Sequence, residues 1–291
     1  MINYKVLKEA GITPKKIKKI NNSYLIDTGD YKYILKNKHE KLDKKFDYLL
    51  SRGFNYFPES FSVNNYDIFK YIEGGEISYE EKLYELVDLI SLLHTKTTRY
   101  KNIDIDDYKI IYEDLDKKIE DLTNYYNSLN DLIDREIYMS PSHFLLVLNI
   151  SKVYSALTFC KKELDNWYEL IKNNPKQRVA YIHNNLGVDH VIRGDNPYLI
   201  SWSHSKVDLP IYDLIDLYNK TKDEIDFDIL LNSYQKRYPL KQEELKLFFI
   251  NISIPKKISF GEDEYENTKE VKKMLNVLKK GDKLINPYYK K

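Results

Sequence analysis

Between residues 24 and 71 the apolar side chains come in short runs broken by turn residues. Residues 24–27 and 31–36 flank Thr28-Gly29-Asp30, and residues 61–63 and 67–71 flank Asn64-Asn65-Tyr66, so two β-hairpins are predicted. Between them Leu42, Phe46, Leu49 and Leu50 recur at helical spacing, with Gly53 just past the end, which predicts a helix over 38–52.

At Glu73-Gly74-Gly75 the texture changes. Ser78-Tyr79-Glu80-Glu81 is a capping box, in which a hydroxyl and a carboxylate each satisfy an unpaired N–H at a helix start. The helix it opens carries Leu83, Leu86, Val87, Ile90, Leu93 and His94. Long helices follow over about 106–136 and 141–172, the second started by Ser140-Pro141, since proline at the first helical position loses no needed bond. Short strands are predicted at 178–183 and 198–202, with a loop over 184–195 and turn residues Gly194-Asp195-Asn196-Pro197 between them. Helical patterns resume at about 210–218, 225–237, 242–252 and 264–280. This order predicts an α+β chain with a β-rich lobe over 1–72, a hinge at 73–77 and a helical lobe over 78–291.

Composition narrows the partners. The 291 residues are 42% hydrophobic and 31% charged with a formal net charge of +1, so no global field attracts nucleic acid or an anionic membrane. Lys15, Lys16, Lys18 and Lys19 cluster, but in a chain this rich in lysine they read as a solvated face. The single cysteine, Cys160, excludes an intrachain disulfide and, beside Leu157 and Phe159, reads as a buried, inert thiol. Residues 1–10 lack the apolar core of a signal peptide, and no apolar run approaches the ~20 residues of a membrane span. A cytoplasmic protein is expected.

The informative stretches are Tyr181-Ile-His-Asn-Asn-Leu-Gly-Val-Asp-His190, Tyr198-Leu-Ile-Ser-Trp-Ser-His204 and Asp208-Leu-Pro-Ile-Tyr-Asp-Leu214. Together they resemble the catalytic core of the aminoglycoside phosphotransferase and choline kinase superfamily: a His-Gly-Asp-x-x-x-x-Asn loop, an Ile-Asp-Phe/Trp strand and a Pro-x-Tyr-Asp-Leu helix start. The texture is most similar to the CotS-like spore-coat branch. Tyr33-Ile-Leu-Lys36 resembles the strand that carries the nucleotide lysine, Phe69-Lys-Tyr-Ile-Glu-Gly-Gly75 the hinge, Leu92-Leu-His94 the end of the first large-lobe helix, and Phe249-Ile-Asn-Ile-Ser-Ile-Pro255 a late helix-to-proline segment.

The resemblance implies a bilobal protein-kinase-like fold and places the family's roles on specific residues. The catalytic Asp falls on Asn185, the metal-holding Asn on His190 and the Mg²⁺-bridging Asp on Ser201. His183 and Asp213 fall on structural positions, and Lys36, Phe69 and Tyr71 on the nucleotide site, with Asp43 or Glu40 as the partner of Lys36. Asn185 is no general base, a change that alone costs about 10²–10⁴-fold in rate. Magnesium prefers hard, anionic oxygen ligands, which neither Ser201 nor His190 supplies. The expected function is therefore a pseudokinase acting as a spore-coat or sporulation-associated scaffold with protein partners. It would need no cofactor, and residual ATP binding stays open. The alternative is an active ATP-dependent phosphotransferase to a sugar, amino alcohol or aminoglycoside, with Asp189, Asp195 or Asp208 as a displaced base or ligand. His183, Asp189, His190 and His204 would suit a transition metal if they converged; the plainer reading is a structural His183 among exposed neighbours.

Overall fold

The computed structural model describes residues 4–38, 42–102, 104–174 and 176–289. In chain order it forms helix α1 (Tyr4–Glu9), strands β1 (Lys16–Ile20), β2 (Ser23–Asp27) and β3 (Lys32–Asn37), helix α2 (Leu42–Ser51), strands β4 (Ser60–Val63) and β5 (Tyr66–Lys70), and helix α3 (Tyr79–Thr97). Strand β6 (Arg99–Asn102) and helices α4 (Ile105–Ile133), α5 (Pro141–Val147) and α6 (Ile150–Lys172) follow. Then come strands β7 (Lys176–Ile182), β8 (Val191–Arg193), β9 (Pro197–Leu199) and β10 (Lys206–Asp208), and helices α7 (Ile211–Thr221), α8 (Phe227–Arg237), α9 (Gln242–Ser253) and α10 (Glu264–Tyr289). The chain forms two compact units: Met1–Thr98 with Ala180–Val207, and Arg99–Val179 with Asp208–Lys291.

The first unit is built on a five-stranded antiparallel sheet in the order β1-β2-β3-β5-β4. Both predicted hairpins are present, turning at Gly29 with φ 96° and at Asn64 with φ 51°. Asparagine tolerates that left-handed backbone better than other non-glycine residues. On one face Ile26, Leu35 and Ile68 pack beneath Leu7 and Ile12, from α1 and the turn after it. The opposite face carries Lys36 and Phe69, and α2 joins that side through a hydrogen bond from Ser62 to Asp43. Strand β1 is an addition to the sequence reading: its Lys-Ile-Lys-Lys-Ile pattern gives the core only Ile17. An aromatic cluster completes the unit. Phe46 stacks on Phe57 at 4.1 Å, and Trp202 meets Phe46, Phe54 and Phe57 edge-on at 5.9–6.1 Å.

The second unit is mainly helical. Helix α6 packs against α4 and α9, and α7 and α10 add to α9. The segment expected as one helix over 141–172 is two, bent by 50° at Leu148 and Asn149. The halves are held by different partners: α5 packs on α10, with Ser142 bonded through its N–H and hydroxyl to Glu264, while α6 lies on α4 and α9. Helix α10 continues past the expected 280 through Gly281 and Pro287. Glycine at 281 admits close packing, since a Cβ there would lie 3.8 Å from Tyr218 Oη and 3.9 Å from the Ile252 carbonyl. Tyr288 and Tyr289 then pack their rings on Phe249, so tertiary contact overrides the local propensity to stop. Cys160 is fully buried, and burial pushes its thiol up to about 12. Among the described residues no single helix is long and apolar enough to cross a membrane.

Candidate functional site

Strand β7 runs into the first unit and delivers His183 to its core, where the ring is fully buried and meets Trp202 edge-on at 5.1 Å. Its Nε2 donates to the Ile200 carbonyl at 2.8 Å. Asn184 follows in the left-handed region, φ 58°, a conformation that glycine would supply without strain and asparagine tolerates. The Asn184 amide donates to the His204 carbonyl at 3.3 Å. His190 Nδ1 donates to the Asn185 carbonyl at 2.8 Å, and the His190 carbonyl accepts from the Ile200 N–H at 2.9 Å. A carbonyl only accepts, so His183 carries a proton at Nε2 and His190 one at Nδ1. Ser201 also has a left-handed backbone, φ 69° and ψ 42°. The structure thus brings Asn185, His190 and the chain entering Ser201 together around His183.

One cation at this place was not visible in the sequence. Lys45 on α2 reaches the loop after Ser201 and donates to the Ser205 carbonyl at 2.9 Å, the Ser203 carbonyl at 3.4 Å and the Trp202 carbonyl at 3.5 Å. Ser205 Oγ lies 3.3 Å from the same ammonium and itself donates to the Trp202 carbonyl. Burial lowers the Lys45 pKa below its ordinary 10.5. Nothing in the sequence separates Lys45 from Lys44 beside it. Lys45→Met is expected to destabilise the protein by about 1–3 kcal/mol, because carbonyls that had a charged donor lose it. Hydrogen exchange would read the loss as faster opening of residues 202–205; unchanged protection there would refute it.

Lys36 is half-buried on β3 with its ammonium 5.7 Å from the Phe69 ring centre, and burial lowers its pKa. Among the described residues no carboxylate forms an ion pair with it; Glu40 lies outside them. Asp43 instead accepts from Ser62 Oγ at 3.0 Å, while Asp67, buried and directly across from Lys36, lies 2.6 Å from the same hydroxyl. One hydroxyl proton is shared between two carboxylates. The sequence reading missed Asp67 because it falls in a strand whose alternation explains it locally.

Tyr71 lies one step along the same edge, beneath the Lys32 ammonium at 5.9 Å, and Lys32 pairs with Glu73 at 2.6 Å. The Gly75 N–H donates to the Arg193 carbonyl at 2.8 Å, and a Cβ on Gly194 would come within 2.8 Å of Ile72, so the 72–75 segment lies tight against the β8–β9 turn. Asp189 is exposed. Asp195 accepts from Tyr198 Oη at 2.8 Å, a bond that holds its carboxyl below the usual range. Asp208 caps the Leu209 N–H at 2.8 Å, and Asp213 is fully buried on α7; both belong to the second unit. Among the described residues no three His, Cys, Asp or Glu side chains are grouped to hold a metal ion.

The side chains at the three expected positions are an amide, an imidazole and a hydroxyl. Magnesium under a triphosphate calls for anionic oxygen ligands, and the Lys45 ammonium bonded to the carbonyls of Trp202, Ser203 and Ser205 works against a second cation there. This donor set does not fit magnesium.

No protein-family model matches the chain. Its structure is similar to an aminoglycoside phosphotransferase from Alicyclobacillus acidocaldarius subsp. acidocaldarius DSM 446, with a TM-score of 0.71 and 10% identity over 99% of this chain and 95% of that one. It is also similar to choline kinase LicA from Streptococcus pneumoniae, with a TM-score of 0.51 and 16% identity over 98% and 99% of the two chains. The chain therefore has the kinase-like α+β fold of aminoglycoside phosphotransferases and choline kinases. At these identities the likeness fixes the fold, and function has to be argued from the site.

Proposed function

We propose that the chain is a pseudokinase: a kinase-like fold that has given up phosphoryl transfer and serves as a binding scaffold, with a spore-coat or sporulation-associated role. The observation that carries the first half is Lys45. The loop that would present a metal-binding carboxylate is instead closed on an internal ammonium, beside a serine, with His190 committed to the Asn185 carbonyl. Asn185 removes the base that would accept the hydroxyl proton. The spore-coat half rests on the CotS-like texture of residues 208–214. Protein partners would then be the ligands, and Lys36, Phe69 and Tyr71 would offer at most a residual nucleotide contact.

The test is a titration with ATP and magnesium. The expected result is no magnesium-dependent rise in melting temperature and no ATP hydrolysis above a buffer blank. Magnesium-dependent turnover that disappears in Lys36→Ala or Asp189→Ala would overturn the proposal in favour of an active small-molecule phosphotransferase.

A further inference from the structure

Among the described residues the sheet of the first unit ends in two strands that pair on one side only, and the two are opposite in character. Strand β4 closes one end of the order and β1 the other. Beside β4, between it and α2, lies a cavity of about 440 Å³. Its floor is apolar, with Phe46, Phe57 and Leu50, and Leu50 is 53% exposed. Its rim carries three carboxylates, Asp43, Asp47 and Glu59, and among the described residues none of the lining side chains is basic. Glu59 also pairs with Lys70 at 3.3 Å, both well exposed. The other edge is the reverse: β1 reads Lys-Ile-Lys-Lys-Ile, four of its five residues are exposed, and Ile20 is 40% exposed.

The geometry points to head-to-tail pairing, in which β1 of one copy of this chain adds to β4 of the next. All four strand pairings are antiparallel, so β1 and β4 run in the same direction and a continuing sheet would join them as parallel neighbours. Faces would be preserved across such a joint. Ile17 points toward the α1 side, which puts Lys16, Lys18 and Ile20 on the opposite side. Ser60 and Ser62 of β4 lie on that same opposite side, next to the acidic cavity. The lysines of one copy therefore meet the carboxylates of the next, and Ile20 meets the apolar floor. Lysine on an edge strand ordinarily blocks pairing. Here it would block β1 against β1 and favour β1 against β4, which is charge-based selection of one joint over another. The contact is heterologous, so it propagates as a filament or ring instead of stopping at a dimer. Two strands of four and five residues make a small interface, of the weak class below about 1,200 Å².

Sedimentation velocity of the full chain over a concentration series tests this. Mass is expected to grow with concentration at about 0.05 M salt and to collapse to monomer at about 0.5 M, as screened charges require. Lys16→Glu/Lys18→Glu removes one edge and Asp47→Lys/Glu59→Lys the other. Each variant alone should be monomeric, with association weakened about tenfold or more. An equimolar mixture should assemble again beyond the dimer, because the native edges of the two variants match and their reversed edges, an acidic β1 against a basic β4, match as well. These positions are exposed; if a double variant melts below wild type, Lys18→Glu and Asp47→Lys singly take its place. A chain that stays monomeric at low salt, or assembly that ignores both variants, overturns the proposal. So does a synthetic Lys15–Ile20 peptide that binds at the β4 cavity of a chain that never self-associates, since the site would then belong to another protein's basic strand.

Discussion

Replacing Arg178 by methionine is expected to lower stability by roughly 3–5 kcal/mol, the cost of leaving a buried charge without its partner. Arg178 and Glu244 are 12% and 6% exposed at their side chains and pair through both guanidinium edges, with Nε to Oε1 at 3.0 Å and Nη2 to Oε2. The same Nη2 donates to the Pro239 carbonyl at 2.8 Å, and the guanidinium lies 4.3 Å from the Tyr238 ring centre. A single side chain thus fastens strand β7 to the start of α9 and to the turn before it. Methionine keeps the volume but leaves the Glu244 carboxylate, among the described residues, with the Lys241 N–H as its remaining donor at 2.8 Å. Lysine should recover only part of the loss, because it cannot form the planar fork or stack on the ring. The pair Arg178→Met/Glu244→Leu should recover most of it, since removing both charges removes the uncompensated one. Urea melts of the four proteins check this. A loss under about 1 kcal/mol in Arg178→Met would place the pair among solvent-screened surface bridges.

Lys246→Met should cost a similar ~3–5 kcal/mol at neutral pH, with a pH dependence of its own. Glu163 is 4% exposed and takes hydrogen bonds from Lys246, from Tyr289 Oη at 2.6 Å and from Asn166 at 3.1 Å. Burial alone would raise its pKa; the hydrogen bonds from Lys246, Tyr289 and Asn166 outweigh burial and bring it below the ordinary 4.5. A depressed carboxyl contributes stability above its unfolded value and loses it as pH falls through the folded value. Without Lys246 the balance shifts toward burial and the Glu163 pKa rises, so the variant gains relative stability on acidification. The gap between wild type and Lys246→Met should therefore narrow as pH drops from 7 through 4.5, the ordinary value. A gap that is flat with pH would mean that Glu163 is not the group left exposed to the change.

What the sequence disclosed was local, and what it hid was long-range. The two hairpins and the capping box at Ser78 follow from turn and cap chemistry within a few residues, and they stand where the pattern put them. Helix ends decided by packing were misjudged: α10 runs through Gly281 and Pro287 because its last tyrosines have aromatic partners, and the 141–172 helix bends because its halves answer to different neighbours. At the site, the family resemblance led to His183, Asn185, His190 and Ser201, which lie in one part of the first unit. Lys45 lies 157 residues from the Trp202 carbonyl it meets and had no signature to find. β1 read as a solvated lysine patch because a strand at the end of a sheet needs only one inward residue.

The first unit is discontinuous in sequence, and that bears on how the chain is made. When residues up to Thr98 have left the ribosome, the sheet, α2 and α3 are all present as nascent chain. Phe46, Phe54 and Phe57 still lack Trp202, and Lys45 still lacks its three carbonyls. Residues 99–179 must be synthesised before the closing segment arrives. For that interval an unfinished aromatic surface and two unpaired sheet edges are exposed together, a combination that favours misassociation. Birth of this fold should thus depend on chaperone occupancy during translation more than its finished stability would suggest.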